Sequence, residues 1–167
     1  MPLSLDELRS LGRWAADCAE RALPLFETRV SADARPREAI EAIRDFGAGG
    51  KRTKQLRVVA LAALAAGRDV EDAAAVAAAR SAGYAASAAY LHPLATPDQV
   101  KHVLWPALYQ AQARELTDPG AGDAEVAWAV EHAPREVREL LERMPTAKPV
   151  RGRLGELLSQ LEAGLRG

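Results

Sequence analysis

The stretch from Val70 to Tyr90 is built mainly of alanine, and it constrains the fold more than any other part of the chain. Alanine favours helix, so we predict one long helix here, with Gly83 inside it and Tyr84 towards its C-terminal end. A helix with such small side chains can approach its neighbours closely. We therefore expect it to lie at the centre of the packing.

Helical spacing of apolar residues continues on both sides of this stretch. Ser4–Glu7 has the pattern of a capping box at the start of a first helix, and Pro24 indicates that this helix kinks or ends nearby. Pro36 suits the first position of a second helix, and a third is predicted at Lys54–Ala66. No alternating pattern typical of strands is present. We predict an all-α fold of seven to nine helices in a single compact domain, residues 1–167.

Turn signals predict the remaining helix boundaries. Gly67 is expected to end the third helix, and Asp69 to cap the fourth. Asp118–Asp123, rich in glycine, proline and aspartate, is the clearest predicted loop. The last helix carries an amphipathic leucine pattern between Leu154 and Leu165.

Composition and charge exclude several functional classes. The formal net charge of −1 gives no basic excess, so we expect no nucleic-acid partner. The N-terminus places acids where a signal peptide needs basic residues, and no run approaches the ~18 apolar residues of a membrane span. The single Cys18 cannot form an internal disulfide and fits a reducing compartment. We therefore expect a cytoplasmic protein without a membrane partner.

Charged residues between Trp14 and Ile40 suggest a clamp between the first two helices. Asp17 and Glu20 are three residues apart and share a helix face. Arginine binds carboxylates bidentately, so we predict that Arg37 pairs with these acids while Arg35 remains free for a partner. Arg37→Ala is then expected to destabilise the fold more than an ordinary surface substitution. The predicted structural or partner-binding cluster is Trp14, Asp17, Glu20, Asp33, Arg35 and Arg37.

A second polar site is predicted from His92, Lys101 and His102. The two histidines can converge because only a loop and the start of the fifth helix separate them. The alternative is that they are ordinary capping or surface histidines. A zinc site needs a third ligand, and none is evident, so we predict no metal and no cofactor. Gly47–Thr53 lacks both the first glycine and the final Ser or Thr of a phosphate-binding loop.

The segment WAADCAERALPLFE (Trp14–Glu27), followed by the turn from Asp33 to Ile40, resembles the Imm-5-like family of bacterial immunity proteins. The alanine-rich segment Ala73–Tyr90 continues the likeness. The family pattern places a histidine inside that helix, whereas here His92 follows it. The resemblance implies an all-helical protein associated with polymorphic toxin systems, with a toxin as partner and with binding rather than catalysis as its activity.

Three hypotheses follow for the function. The first is a cytoplasmic immunity-type module that binds and blocks a toxin. The second is a small helical enzyme in which Asp17 or Glu20 acts as a base, which requires a concave pocket around those acids. The third is a helical scaffold that forms a homodimer through the Leu154–Leu165 stripe.

Overall fold

A computed structural model describes all 167 residues and contains eight α-helices, one short 3₁₀ helix and no strand. The helices are α1 (Leu5–Glu27), α2 (Arg35–Gly47), α3 (Lys54–Arg68), α4 (Ala73–Ser87), α5 (Pro97–Thr117), α6 (Ala121–His132), α7 (Arg135–Glu142) and α8 (Gly152–Arg166), and the 3₁₀ helix is Ala88–Tyr90. The predicted all-α class is confirmed, and the number of helices lies within the predicted range. No helix combines the length and the apolar character that crossing a membrane requires.

Helix α1 begins at the predicted capping box. The Ser4 hydroxyl accepts a hydrogen bond from the Glu7 amide at 3.1 Å, and the Glu7 carboxylate accepts one from the Ser4 amide at 2.8 Å. These bonds satisfy two amides that have no partner inside the helix. Pro24 lies inside α1, and the helix ends soon after it, at Glu27, as expected from the lost backbone donor.

Helix α4 packs against α1, α3 and α5, which confirms the predicted central position. Most of its alanines are fully buried. Gly83 marks a close approach to α3, since a Cβ placed there would lie 2.7 Å from Leu64 Cδ2 and 3.1 Å from the Ala60 carbonyl oxygen. The small residues therefore set the short distance between these two helices.

The predicted boundary between α3 and α4 is wrong. Helix α3 continues through Gly67 to Arg68, and α4 begins at Ala73 instead of Val70. The cap of α4 is Asp72, whose carboxylate accepts a hydrogen bond from the Ala75 amide at 3.0 Å. Asp69 ends α3 instead. A spacing argument could not choose between two aspartates three residues apart.

The predicted loop at Asp118–Asp123 is only a tight turn, because α6 already begins at Ala121. Gly120 adopts a φ of 96°, which glycine reaches without steric cost. The Glu115 carboxylate accepts hydrogen bonds from the amides of Gly120 and Gly122 at 2.9 and 3.1 Å. A side chain of α5 thus supplies the bonds that begin α6.

The leucine stripe of α8 lies against α5, α6 and α7 of the same chain. Leu157, Leu158, Leu161 and Leu165 are all buried. A homodimer through the Leu154–Leu165 stripe, considered above, is therefore not available to the folded chain. The amphipathic pattern correctly indicates a buried face, but the face is covered within the monomer.

Candidate functional site

Asp17 and Glu20 bind the same arginine of α2, but it is not one of the predicted arginines. Arg44 Nη1 donates to Asp17 Oδ1 at 2.8 Å, and Arg44 Nη2 donates to Glu20 Oε2. The prediction that Arg37 would fill this role is wrong. Because α2 runs antiparallel to α1, its first turn lies beside the end of α1. The residues opposite Asp17 and Glu20 come two turns later.

Arg37 binds Glu27 at the end of α1, with Nε 2.7 Å from Oε2. Its side chain is 49% exposed, so it is not the buried partner that the sequence suggested. An ion pair exposed to water contributes little to the free energy of unfolding. The structure therefore gives no reason to expect strong destabilisation from Arg37→Ala.

Arg35 is not free for a partner, which corrects a second expectation. Its guanidinium binds Asp33 at 2.7 Å and Asp69 at 2.9 Å, and so links the start of α2 to the end of α3. The hydrogen bond from Arg35 holds the pKa of the Asp33 carboxyl below its usual value. Asp33 and Arg35 therefore have a structural role at this turn.

Trp14 lies beneath the exposed acids and is itself only 2% exposed. Its indole Nε1 donates to the Ala129 carbonyl oxygen at 3.0 Å, which joins α1 to α6. Trp14 thus links the two helices that carry this surface, and only its edge reaches a hollow shared with Asp17 and His132.

Helix α6 adds residues to this surface that the sequence analysis missed. The Arg21 guanidinium lies 4.1 Å from the centroid of the Trp128 ring and donates to Glu125 Oε2 at 2.7 Å. The rings of Trp128 and His132 stack, with centroids 4.2 Å apart. Trp128 and His132 are four residues apart on one helix, a spacing from which the sequence could have predicted that their side chains share a helix face. Nothing in the sequence showed that α6 lies beside α1.

We call this surface the α1–α6 face and define it as Asp17, Glu20, Arg21, Trp128 and His132. A shallow hollow of about 300 Å³ is lined by the first four of these residues. Asp17 and Glu20 are 54% and 55% exposed. The second oxygen of each carboxylate receives no hydrogen bond from the protein, so both remain able to accept one from a partner.

The second predicted site, His92, Lys101 and His102, comes together around one cavity of about 360 Å³. Helices α3, α4 and α5 and the segment after α4 form it. Its complete lining is Arg57, Ala60, Leu61, Leu64, Tyr84, Ser87, Tyr90, His92, Lys101 and His102. We call it the α3–α5 cavity.

His102 is held in a defined orientation in this cavity. The Ser87 hydroxyl donates to the Tyr84 carbonyl oxygen at 2.8 Å, so its oxygen is left to accept a hydrogen bond from His102 Nδ1 at 3.1 Å. Burial lowers the pKa of His102 to about 4, and electrostatic interactions with Lys101 and His92 lower it in the same direction. His102 is therefore neutral at pH 7, with its proton on Nδ1.

The two histidines do not form part of a metal site of three or more ligands. No three side chains of histidine, cysteine, aspartate or glutamate are grouped to hold a metal ion in this structure. The only cysteine, Cys18, is buried, and burial raises the pKa of its thiol far above the usual value. A protonated thiol without solvent access is a poor nucleophile.

Comparison with known proteins identifies the family. The family model described as "Imm-5 like putative immunity protein" matches residues 1–136. The chain belongs to this family. The matched range includes α1 to α6, so both the α1–α6 face and the α3–α5 cavity lie inside it. No curated protein and no solved structure matches the chain.

Proposed function

We propose that this protein is an immunity-type protein that binds and blocks a cognate toxin in the cytoplasm, and that the α1–α6 face contacts the toxin. Membership of the Imm-5-like family supports the general role. The role of the face is supported chiefly by Asp17 and Glu20. Both carboxylates are exposed, and a single arginine, Arg44, holds both in place.

Two carboxylates that share one guanidinium retain a net negative charge. Each has an oxygen directed at no protein donor, so a lysine or arginine of the partner can bind without displacing Arg44. Because Arg44 already restricts both side chains, binding costs less conformational entropy than it would for two free side chains. The arrangement favours a toxin that presents a basic patch.

Trp128 supplies the apolar part of the same face. Its ring is partly exposed and is held between Arg21 and His132. Tryptophan and arginine are enriched among the residues that dominate binding energy at protein interfaces, and rigid aromatic rings lose little freedom on binding. A charged pair beside a fixed aromatic ring is therefore suited to protein recognition.

The enzyme hypothesis has weaker support from this geometry. A carboxylate that acts as a general base needs to reach a substrate proton in a site that positions the substrate. Here both acids are bound to Arg44, and the two hollows that adjoin them, of about 300 and 430 Å³, are both shallow and open to solvent. These features favour binding over acid–base chemistry.

The test is co-expression with a toxin encoded beside the gene for this protein. We expect wild-type protein to protect the cells and to elute with the toxin on a sizing column. Asp17→Asn/Glu20→Gln and Trp128→Ala should weaken both effects while the circular dichroism of the free protein is unchanged.

The matched control is Glu71→Gln/Glu142→Gln, which removes two exposed carboxylates that form no ion pair in the structure. It should protect as well as wild type. If wild-type protein neither protects nor forms a complex, the immunity role is wrong. If the Asp17/Glu20 and Trp128 variants bind normally, the role stands but the toxin contacts another surface.

A further inference from the structure

We propose that the α3–α5 cavity binds a small organic anion with a flat apolar body, such as an aromatic carboxylate. This function is separate from the binding of a toxin by the α1–α6 face, and it does not depend on that role.

The charges around the cavity favour an anion. Arg57 and Lys101 both line it, and no aspartate or glutamate does. Neither cation forms a hydrogen bond or an ion pair within the protein. Most arginines of this chain are bound to a carboxylate or a backbone carbonyl, so two unpaired cations beside one cavity are unusual here. Their donors remain available for the negative group of a ligand.

His102 does not contribute positive charge at neutral pH. Its Nδ1 is bound to Ser87, and burial keeps the ring neutral. Arg57 and Lys101 are therefore the lining residues to which we assign the negative group of the ligand. These two residues come from α3 and α5, so a bound anion would contact both helices at once.

The rest of the lining is suited to an apolar body. Leu61 and Leu64 form an aliphatic wall on α3, and Leu61 is 58% exposed, so its side chain is not consumed by core packing. The Tyr84 ring on α4 is fixed by stacking on Tyr109, with centroids 5.7 Å apart and planes 9° from parallel. Fixed aromatic rings favour flat ligands through stacked or edge contacts.

The size of the cavity limits the ligand. A volume of about 360 Å³ lies near the lower end of the range found for small-molecule sites, roughly 300–1,000 Å³. A compact molecule with one negative group fits this volume and this lining. Inorganic phosphate or sulfate would satisfy the cations but would leave the wall of α3 and the Tyr84 ring uncovered.

The experiment is titration of the full chain with 2-naphthoate, followed by calorimetry and by amide chemical shifts in NMR. We expect saturable binding to one site with a Kd of about 1 mM or tighter, a value typical of a ligand of this size. The neutral analogue 2-naphthamide should bind about tenfold more weakly or worse, and inorganic phosphate should not compete at equal concentration.

Two variants locate the site. Arg57→Gln/Lys101→Gln should weaken 2-naphthoate binding by about ten- to a hundredfold, as expected when charge-assisted hydrogen bonds are lost. Leu61→Trp should abolish binding by filling the cavity from an exposed position, where the larger side chain leaves the core intact. The control Arg68→Gln/Lys51→Gln removes two other exposed, unpaired cations and should bind like wild type.

The proposal is wrong if wild type shows no saturable binding of 2-naphthoate, if the amide binds with equal affinity, or if Arg57→Gln/Lys101→Gln leaves the affinity unchanged. Shifted amides that cluster on the α1–α6 face instead of around the cavity would also reject it. None of these measurements uses a toxin, so the outcome is independent of the proposed immunity role.

Discussion

The charged residues of the α1–α6 face form ion pairs within the protein, whereas those of the α3–α5 cavity are unpaired. On the face, exposed acids and arginines are already paired with each other, as Arg44 is with Asp17 and Glu20. In the cavity, Arg57 and Lys101 have no partner within the protein, and the buried histidine of the lining, His102, is neutral. Paired charges give a rigid polar surface for a large partner, whereas unpaired cations beside an apolar wall favour a small anion.

The two sites also differ in what holds them in place. The face is supported by the buried Trp14, which binds α6, and by the partly buried Glu125, which binds Arg21 of α1. The cavity is framed by helices that alanine and Gly83 bring close together. Substitutions beneath the face should therefore cost stability, and substitutions that line the cavity should change binding or pH dependence.

The largest effect should come from Trp14→Ala. It removes a buried indole and its hydrogen bond to Ala129, and large-to-small substitutions of this kind cost about 3–5 kcal/mol. Denaturant unfolding followed by circular dichroism measures the change. Leu61→Ala at the cavity should cost far less, because Leu61 is largely exposed. Equal losses for the two variants would remove the contrast between the sites.

Glu125→Gln should have the next largest effect. The Glu125 side chain is only 12% exposed and accepts hydrogen bonds from Arg21 at 2.7 and 3.2 Å and from Gln110. Loss of its charge leaves Arg21 without its carboxylate, at a cost of about 1.5–3 kcal/mol in the free energy of unfolding. Glu71→Gln serves as the exposed control. A loss no greater than that of the control would mean that this ion pair does not support the face.

His102 should make stability depend on pH. Its pKa is about 4 in the folded protein and about 6.5 in the unfolded chain, so only the unfolded chain takes up the proton between these values. The contribution is fully present above pH 6.5 and is lost as pH falls towards 4, on the order of 1–2 kcal/mol by pH 5.

Unfolding free energies of wild type and His102→Gln between pH 7.5 and 4 isolate this contribution. The charged or titratable groups that line the cavity with His102 are Arg57, Tyr84, Tyr90, His92 and Lys101, and all five are unchanged in the variant. The variant should lose less stability than wild type over this range. His132→Gln, at the exposed end of α6, is the control and should follow wild type. Parallel curves for wild type and His102→Gln would show that the ring is not buried in its neutral form.

The smallest effects are expected at the exposed ion pairs. Arg44→Ala should lower the free energy of unfolding by less than about 1 kcal/mol, because its partners are half exposed. Arg37→Ala should behave like an ordinary surface substitution. Chemical denaturation of both variants tests this. A large loss for Arg44→Ala would show that the pairs hold α2 onto α1 and do not simply order a binding surface.

The sequence by itself determined the features that depend on neighbours along the chain. The capping box at Ser4, the helix periods and the central position of the alanine-rich helix were all predicted correctly. Each of these depends on residues within one or two turns, or on side-chain size alone. The sequence could also suggest that His92, Lys101 and His102 lie close together, because only a short segment separates them. The structure places all three around one cavity.

Only the tertiary structure decided which helices and which charges meet. The antiparallel packing of α1 and α2 places Arg44, not Arg37, against Asp17 and Glu20. The packing of α6 on α5 and α8 brings Trp128 and Glu125 within side-chain reach of Arg21 on α1. An arginine side chain reaches carboxylates on several surrounding turns, so its partner depends on how neighbouring helices align. That alignment comes from the packing of the whole core and is not encoded in any local spacing.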